Sequence, residues 1–184
     1  MFRMKFCSLC AGRVALTIPQ GDNRPRYVCQ HCSHIHYQNP KIVAGCLVES
    51  EGHILLCRRA IEPRLGLWTL PAGFLENEET VEEGAKRETL EETRACVNVR
   101  GLLALYSIPH ISQIYMIYRA DLLKPEFGPT LESSEVAFFS EQEIPWPQVA
   151  FAVIERLLTD YFAIRHQPEF GLLSGVIDKR VARD

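Results

Sequence analysis

Eight of the residues from Glu76 to Glu92 are glutamates, set against two cations, Lys86 and Arg87. The segment reads as a helix over residues 80–93, with Thr80 as N-cap and Glu83, three residues on, completing a capping box. In such a helix Glu88, Glu91 and Glu92 stand at i, i+3 and i+4 and share one face. Like charges at that spacing repel and destabilise an isolated helix. A solvated face would intersperse lysines there, and this one has none. A hard cation turns the repulsion into binding, because Mg²⁺ takes carboxylate oxygens together with water and phosphate oxygens. Gly84 lies one turn before Glu88 on the same face. A mid-helix glycine costs about 1 kcal/mol relative to alanine, and its missing side chain leaves room for a ligand or a loop.

A second constraint lies at the N-terminal end. Residues 5–37 hold few large apolar side chains and a polar, turn-rich centre, Pro19 to Pro25. Such a segment cannot build its own core and needs a staple. Two pairs supply one: Cys7-x-x-Cys10 and Cys29-x-x-Cys32, with 18 residues between them. Each pair presents two thiolates to one tetrahedral ion, and the spacing matches a zinc ribbon. Bound Zn²⁺ would supply the missing folding energy. Four thiolates complete such a site, so His31, His34 and His36 read as exposed or packing residues.

The remainder reads as one α/β domain. Ile42–Val48 and His53–Cys57 suggest two strands joined by a turn at Glu49–Gly52, followed by a loop rich in Pro and Gly. Residues 96–105, 114–122 and 136–139 read as further strands, and residues 149–165 as a helix with apolar side chains at helical spacing. The order of strands, helix, strands and helix suggests a sandwich. The expected domains are 1–38, 39–167 and a tail, 168–184. The chain is 47% hydrophobic and carries a formal charge of −3, which opposes a general nucleic-acid-binding role. No apolar run approaches transmembrane length and no signal core precedes the first cysteines. An odd count of 7 cysteines fits a reducing compartment. A cytoplasmic location is therefore expected.

The pattern Gly73-x5-Glu79-x7-Arg87-Glu88-Thr89-x-Glu91-Glu92 resembles the Nudix box. It departs from that box at Arg94, where the family carries glycine. Asn39-Pro-Lys41, Leu56-Cys-Arg-Arg59 and Gly66 to Phe74 resemble the flanks of Nudix hydrolases that bear a zinc ribbon. The resemblance implies an α/β/α sandwich with a mixed sheet and a divalent-metal enzyme that cuts a pyrophosphate linkage. By it, Glu88, Glu91 and Glu92 bind Mg²⁺ or Mn²⁺. Glu79 supports the site or adds a water-mediated ligand, the Gly73 carbonyl is a further candidate ligand, and Arg87 orients the carboxylates. It also makes a homodimer a reasonable expectation.

Hydrolysis further needs a general base near the attacking water. Glu135 and Glu132 are the candidates outside the box, with Glu135 placed first. Glu92 and Glu88 are the rivals within it. Arg58 and Arg59 are candidate phosphate contacts and Tyr115 a candidate stacking residue, while Trp68 is expected to pack the loop. NADH pyrophosphatases typically carry Ser-Gln-Pro-Trp-Pro-Phe downstream of the box, and here only Ser112 and Gln113 of it remain. With Pro129-x-Leu-Glu-Ser-Ser-Glu135, the sequence is more similar to the ADP-ribose and FAD pyrophosphatase-like branch. The expected substrate is ADP-ribose or FAD, with NADH as the alternative. A nucleotide-sensing regulator without catalysis is the alternative of a different class. Nucleic acid as a partner of the ribbon is not expected, and neither is a membrane.

Overall fold

The computed structural model describes residues 4–167 and 171–178. Contacts divide the chain into two units, Met1–Pro40 and Lys41–Asp184.

The smaller unit is a three-stranded antiparallel sheet of β1 (Val14–Thr17), β2 (Arg26–Cys29) and β3 (Ile35–His36), in that order. The two cysteine pairs fold into the same turn twice. Cys7 O accepts from Ala11 N at 3.0 Å and Cys29 O from Ser33 N at 3.0 Å. Ala11 and Ser33 both take left-handed backbone, with φ of 58° and 59°. Repetition of one turn is how each pair comes to offer two sulfurs to a common centre.

The larger unit is built on a mixed sheet. Its strands are β4 (Lys41–Ser50), β5 (His53–Arg59), β6 (Trp68–Thr69), β7 (Ala72–Phe74), β8 (Val97–Ile108), β9 (Gln113–Leu122), β10 (Ser133–Phe139) and β11 (Leu173–Val176), in the order β10-β5-β4-β9-β8-β11. β4 runs parallel to β9 and β11 parallel to β8, and the other pairs are antiparallel. The β4–β5 hairpin turns through Glu51 and Gly52 at φ 49° and 76°, the double positive φ that a two-residue turn requires.

Alternation along β4 distributes the core to both faces of the sheet. Val43 and Leu47 join a cluster with Val153, Ile154, Leu157, Leu158 and Tyr161 of α2 (Ala152–Ile164). Ala44, Cys46 and Val48 join a second cluster with Ala85 of α1 (Val81–Thr93). One helix on each face makes the α/β/α sandwich that the resemblance implied. α1 begins at the expected capping box: Thr80 Oγ1 accepts from Glu83 N at 3.2 Å, and the Glu83 carboxylate accepts from Thr80 N at 2.8 Å.

Three elements differ from the sequence reading. The Pro/Gly-rich loop contains β6 and β7, which enter between β4 and β5. The hairpin strands pair only at Glu49–Ile54 and Ser50–His53, beyond which β4 pairs with β7 and β5 with β6. The segment read as a featureless tail contributes β11 to the sheet edge, although residues 168–170 and 179–184 of it lie outside the described residues. Leu-Ser-Gly-Val is too short for a readable period, and its glycine opposes a strand assignment. Among the described residues, no helix is long and apolar enough to cross a membrane.

Candidate active site

The crossing of β6 and β7 shapes the site. Pro71 O accepts from Cys46 N at 3.2 Å, so the chain passes directly over β4. A β-carbon at Gly45 would overlap Pro71 O and Ala72, and glycine alone allows the passage. β7 then delivers two groups to α1. Ala72 N donates to Glu92 Oε2 at 2.9 Å. Gly73 faces Glu88 so closely that a β-carbon there would overlap the carboxyl group. Gly84 plays the matching part on the helix, where a β-carbon would meet Leu75 and Glu79. The room predicted beside Gly84 is taken by this loop.

The carboxylates occupy distinct environments. Glu92 is 6% exposed. Burial pushes its carboxyl group up to about 7; the charges of Glu88 and Glu132 add to the rise, while the Ala72 N–H and Arg59 oppose it. The Cys57 thiol, also buried, lies 3.8 Å from Glu92 Oε2. Glu88 is raised as well, by burial first and then by Glu91 and Glu132, against the pull of Arg87. Glu91 is exposed.

Arg87 gathers the rest. It donates to Glu79 at 2.8 and 3.0 Å, to Glu88 Oε1 at 2.7 Å, to Glu91 Oε2 at 3.0 Å and to Phe74 O at 3.2 Å. Glu79, which also accepts from Glu76 N, is held down to about 2, chiefly by Arg87. Glu79, Glu88 and Glu91 therefore converge on Arg87 and not on one another. Among the described residues the carboxylates of Glu88, Glu91 and Glu92 are not gathered about one point as the four cysteine sulfurs are: Arg87 holds Glu88 and Glu91, and the Ala72 N–H holds Glu92.

The residues outside the box separate in a way their spacing did not show. Glu135 lies opposite Arg58 across the β10–β5 pair and forms an ion pair with it at 2.6 Å. Arg58 also donates to Gly66 O at 2.8 Å. Glu132 instead presses its charge on Glu88 and Glu92. A register shift between Ser133 and Glu135 separates the two glutamates. Arg59 donates through Nε to Pro63 O at 2.7 Å and stacks on Phe151 at 5.3 Å. It has no carboxylate partner among the described residues, and its charge reaches Glu92 and Tyr115. Tyr115 is buried in the core between Val43 and Tyr106. Trp68 packs edge-on against Phe139 at 4.9 Å, as expected of a packing residue. The roles of Cys57 and the Ala72 N–H were not legible in the sequence, because only the packing of α1 on the sheet brings them to Glu92.

In the smaller unit the sulfurs of Cys7, Cys10, Cys29 and Cys32 all lie within 4.8 Å of one another. Three of the separations are 3.4, 3.4 and 3.8 Å. A tetrahedral ion with Zn–S of about 2.3 Å implies S···S of about 3.8 Å. The N–H groups of Cys32 and His31 point at Cys29 Sγ and lower that thiol to about 6. Gly12 leaves space that a β-carbon would take from His31, Cys29 and Cys10. These four residues fit a zinc ion. His36 is buried with Nε2 unpartnered, and His34 packs edge-on against it at 4.7 Å.

The NUDIX domain family model matches residues 39–160, and the zinc-ribbon model described as Nudix N-terminal matches residues 5–38. The chain belongs to the Nudix hydrolase family. It is similar to a Nudix hydrolase from Nitrosomonas europaea of known crystal structure, at 56% identity and a TM-score of 0.92, covering 96% of this chain and 100% of that one. It is 33% identical over 131 residues to an ADP-ribose pyrophosphatase from Methanocaldococcus jannaschii, across 68% of this chain and 75% of the relative. It is 32% identical over 143 residues to the NAD-capped RNA hydrolase NudC of Photobacterium profundum, covering 76% of this chain. The match spans only 51% of that relative's length. The chain is thus a Nudix pyrophosphohydrolase acting on nucleotide derivatives, and the box glutamates lie in the family's hydrolytic domain.

Proposed function

We propose that this Nudix enzyme hydrolyses the pyrophosphate of a dinucleotide-type substrate, ADP-ribose or FAD, to AMP plus the phosphorylated second half. The observation that carries the reading is the buried carboxyl group of Glu92 beside the half-buried one of Glu88, whose ionisation calls for a cation. Glu88, Glu91 and Glu92 would hold Mg²⁺ or Mn²⁺, with the Gly73 carbonyl and Glu79 at the margin. The bound metal would neutralise phosphate charge and lower the pKa of the attacking water. Arg87 orients the carboxylates. Arg59, beside Glu92 and without a carboxylate partner among the described residues, is the better phosphate contact, since Arg58 is committed to Glu135 and Gly66. Glu132 is the preferred general base, because its charge is felt at both Glu88 and Glu92 while Glu135 is neutralised by Arg58.

The similarity to an ADP-ribose pyrophosphatase over three quarters of that relative's length supports the substrate class. The NudC relatives favour NADH as a second reading. Against it, the segment at Ser112 departs from the NADH-type pattern, and its Tyr115 is a core residue. The experiment is a panel of ADP-ribose, FAD, NADH, diadenosine polyphosphates and oxidised dNTPs with Mg²⁺ or Mn²⁺. ADP-ribose or FAD should turn over best. Hydrolysis of dNTPs alone would overturn the assignment, and binding without hydrolysis of any of them would favour the sensing regulator. Zn²⁺ in the four-cysteine site, a homodimer and a cytoplasmic location complete the proposal.

A further inference from the structure

The last carbonyls of a helix have no partner within it. α1 carries the metal-binding glutamates, and its last turn holds no basic residue to cover those carbonyls. The segment before β10 covers them. Gly128 N donates to Thr93 O at 2.8 Å, and the Thr130 hydroxyl lies 3.5 Å from Glu92 O as donor. The same hydroxyl accepts from Glu132 N at 3.1 Å and from Ser133 N at 3.2 Å. A hydroxyl offers one donor and two acceptor positions; Thr130 fills both acceptor positions and faces Glu92 O at long donor range. Glu132 O is fixed as well, accepting from Ala60 N at 2.7 Å, one residue beyond Arg59.

We infer that Thr130 is a positioning residue for hydrolysis: its hydroxyl joins the Glu92 end of the metal helix to the backbone of Glu132 and so sets the two carboxylates against each other. The inference rests on the reading of Glu132 as the general base. Thr130 needs no contact with substrate. Valine would keep its volume and branching while removing the hydroxyl contacts to Glu92 O, Glu132 N and Ser133 N. Serine would keep the hydroxyl.

The test is steady-state hydrolysis of ADP-ribose with Mg²⁺, with FAD as substrate if ADP-ribose is not turned over. It compares the parent, Thr130→Val, Thr130→Ser, Glu132→Gln and the double variant Thr130→Val/Glu132→Gln. Displacing a general base by a fraction of an ångström to about 1 Å costs roughly 10- to 100-fold. Thr130→Val should lose that much in kcat with KM within about 3-fold. Thr130→Ser should recover most of the loss. In the Glu132→Gln background Thr130→Val should cost less than about 2-fold, since the group it positions is gone. If valine does not fold, Thr130→Ala is read by the same two criteria. An unchanged kcat in Thr130→Val, a serine variant no better than valine, or full additivity in the double variant overturns the inference while Glu132 keeps its role. A Glu132→Gln variant with parental kcat overturns the Glu132 reading itself, and the inference with it.

Discussion

Glu92 joins two demands that conflict in the absence of metal. It is nearly excluded from water, and the proposed metal role requires it as an anion. Its folded proton affinity, near 7, lies above the ordinary 4.5. Between those values the unfolded chain has released the proton and the folded chain keeps it. Stability from this group is therefore present at low pH and lost as pH rises through about 7. Glu92→Gln should abolish that slope. In buffer without Mg²⁺ or Mn²⁺ the variant should exceed the parent by about 2–3 kcal/mol at pH 8 and match it at pH 4.5. Urea unfolding at the two pH values measures this, and parallel pH profiles would refute it. The same variant should lose at least about 100-fold in kcat. Protons and metal compete for the group, so the parent's Mn²⁺ affinity should also weaken below pH 7. Arg94 illustrates a smaller cost. It closes α1 in left-handed backbone, φ 60°, at the position where the family box has glycine. Arg94→Gly removes strain of about 1 kcal/mol and adds some unfolded-chain entropy. A net gain of about 0.5 kcal/mol is expected, seen as a small rise in Tm with kcat unchanged.

Two glycines distinguish how the elements around the site are held. At Gly45 a methyl group would collide with the backbone of the crossing chain, which cannot yield without moving β6 and β7. Gly45→Ala should cost about 2–3 kcal/mol. At Gly73 the methyl group would meet the end of Glu88, which can rotate away. Gly73→Ala should therefore be gentler on Tm and harsher on kcat and on Mg²⁺ activation. Equal effects of the two variants on Tm would show that the crossing is not a rigid constraint. The contrast also marks what was legible in the sequence. α1 could be read because capping chemistry and i, i+3, i+4 spacing are local. The long strands β4, β8 and β9 could be read because their apolar runs exceed the noise of a short window. β6 and β7 could not, because two or three residues carry no period. The separation of Glu132 from Glu135 depends on an irregularity in strand pairing beside Ser134, and the commitment of Arg58 depends on cross-strand register. Pairing of this kind joins residues far apart in the chain and leaves no local trace. The box residues could therefore be named in advance, whereas the contacts that tune them could not.

On the scale of the molecule, the two units owe their folds to different sources. Lys41–Asp184 has two buried clusters, one on each face of its sheet. Among the described residues of the smaller unit, Phe6, Leu9, Leu16, Ile18 and Tyr37 are all exposed, and the buried residues include Cys7, Cys29 and His36. Its interior is largely the four-cysteine centre itself, so its stability should be mostly metal-binding free energy, on the order of 10 kcal/mol for structural zinc sites. Removing zinc from the intact chain with a thiol-competing chelator, in excess Mg²⁺, should release one Zn²⁺ per chain. The smaller unit should unfold and become open to trypsin at Arg13 and Arg26. The sheet of the larger unit should persist, with its thermal transition within a few degrees of the parent. Concerted loss of both units on chelation would show instead that the larger core depends on the ribbon. Persistence of the smaller unit without metal would show that its sheet does not depend on the ion.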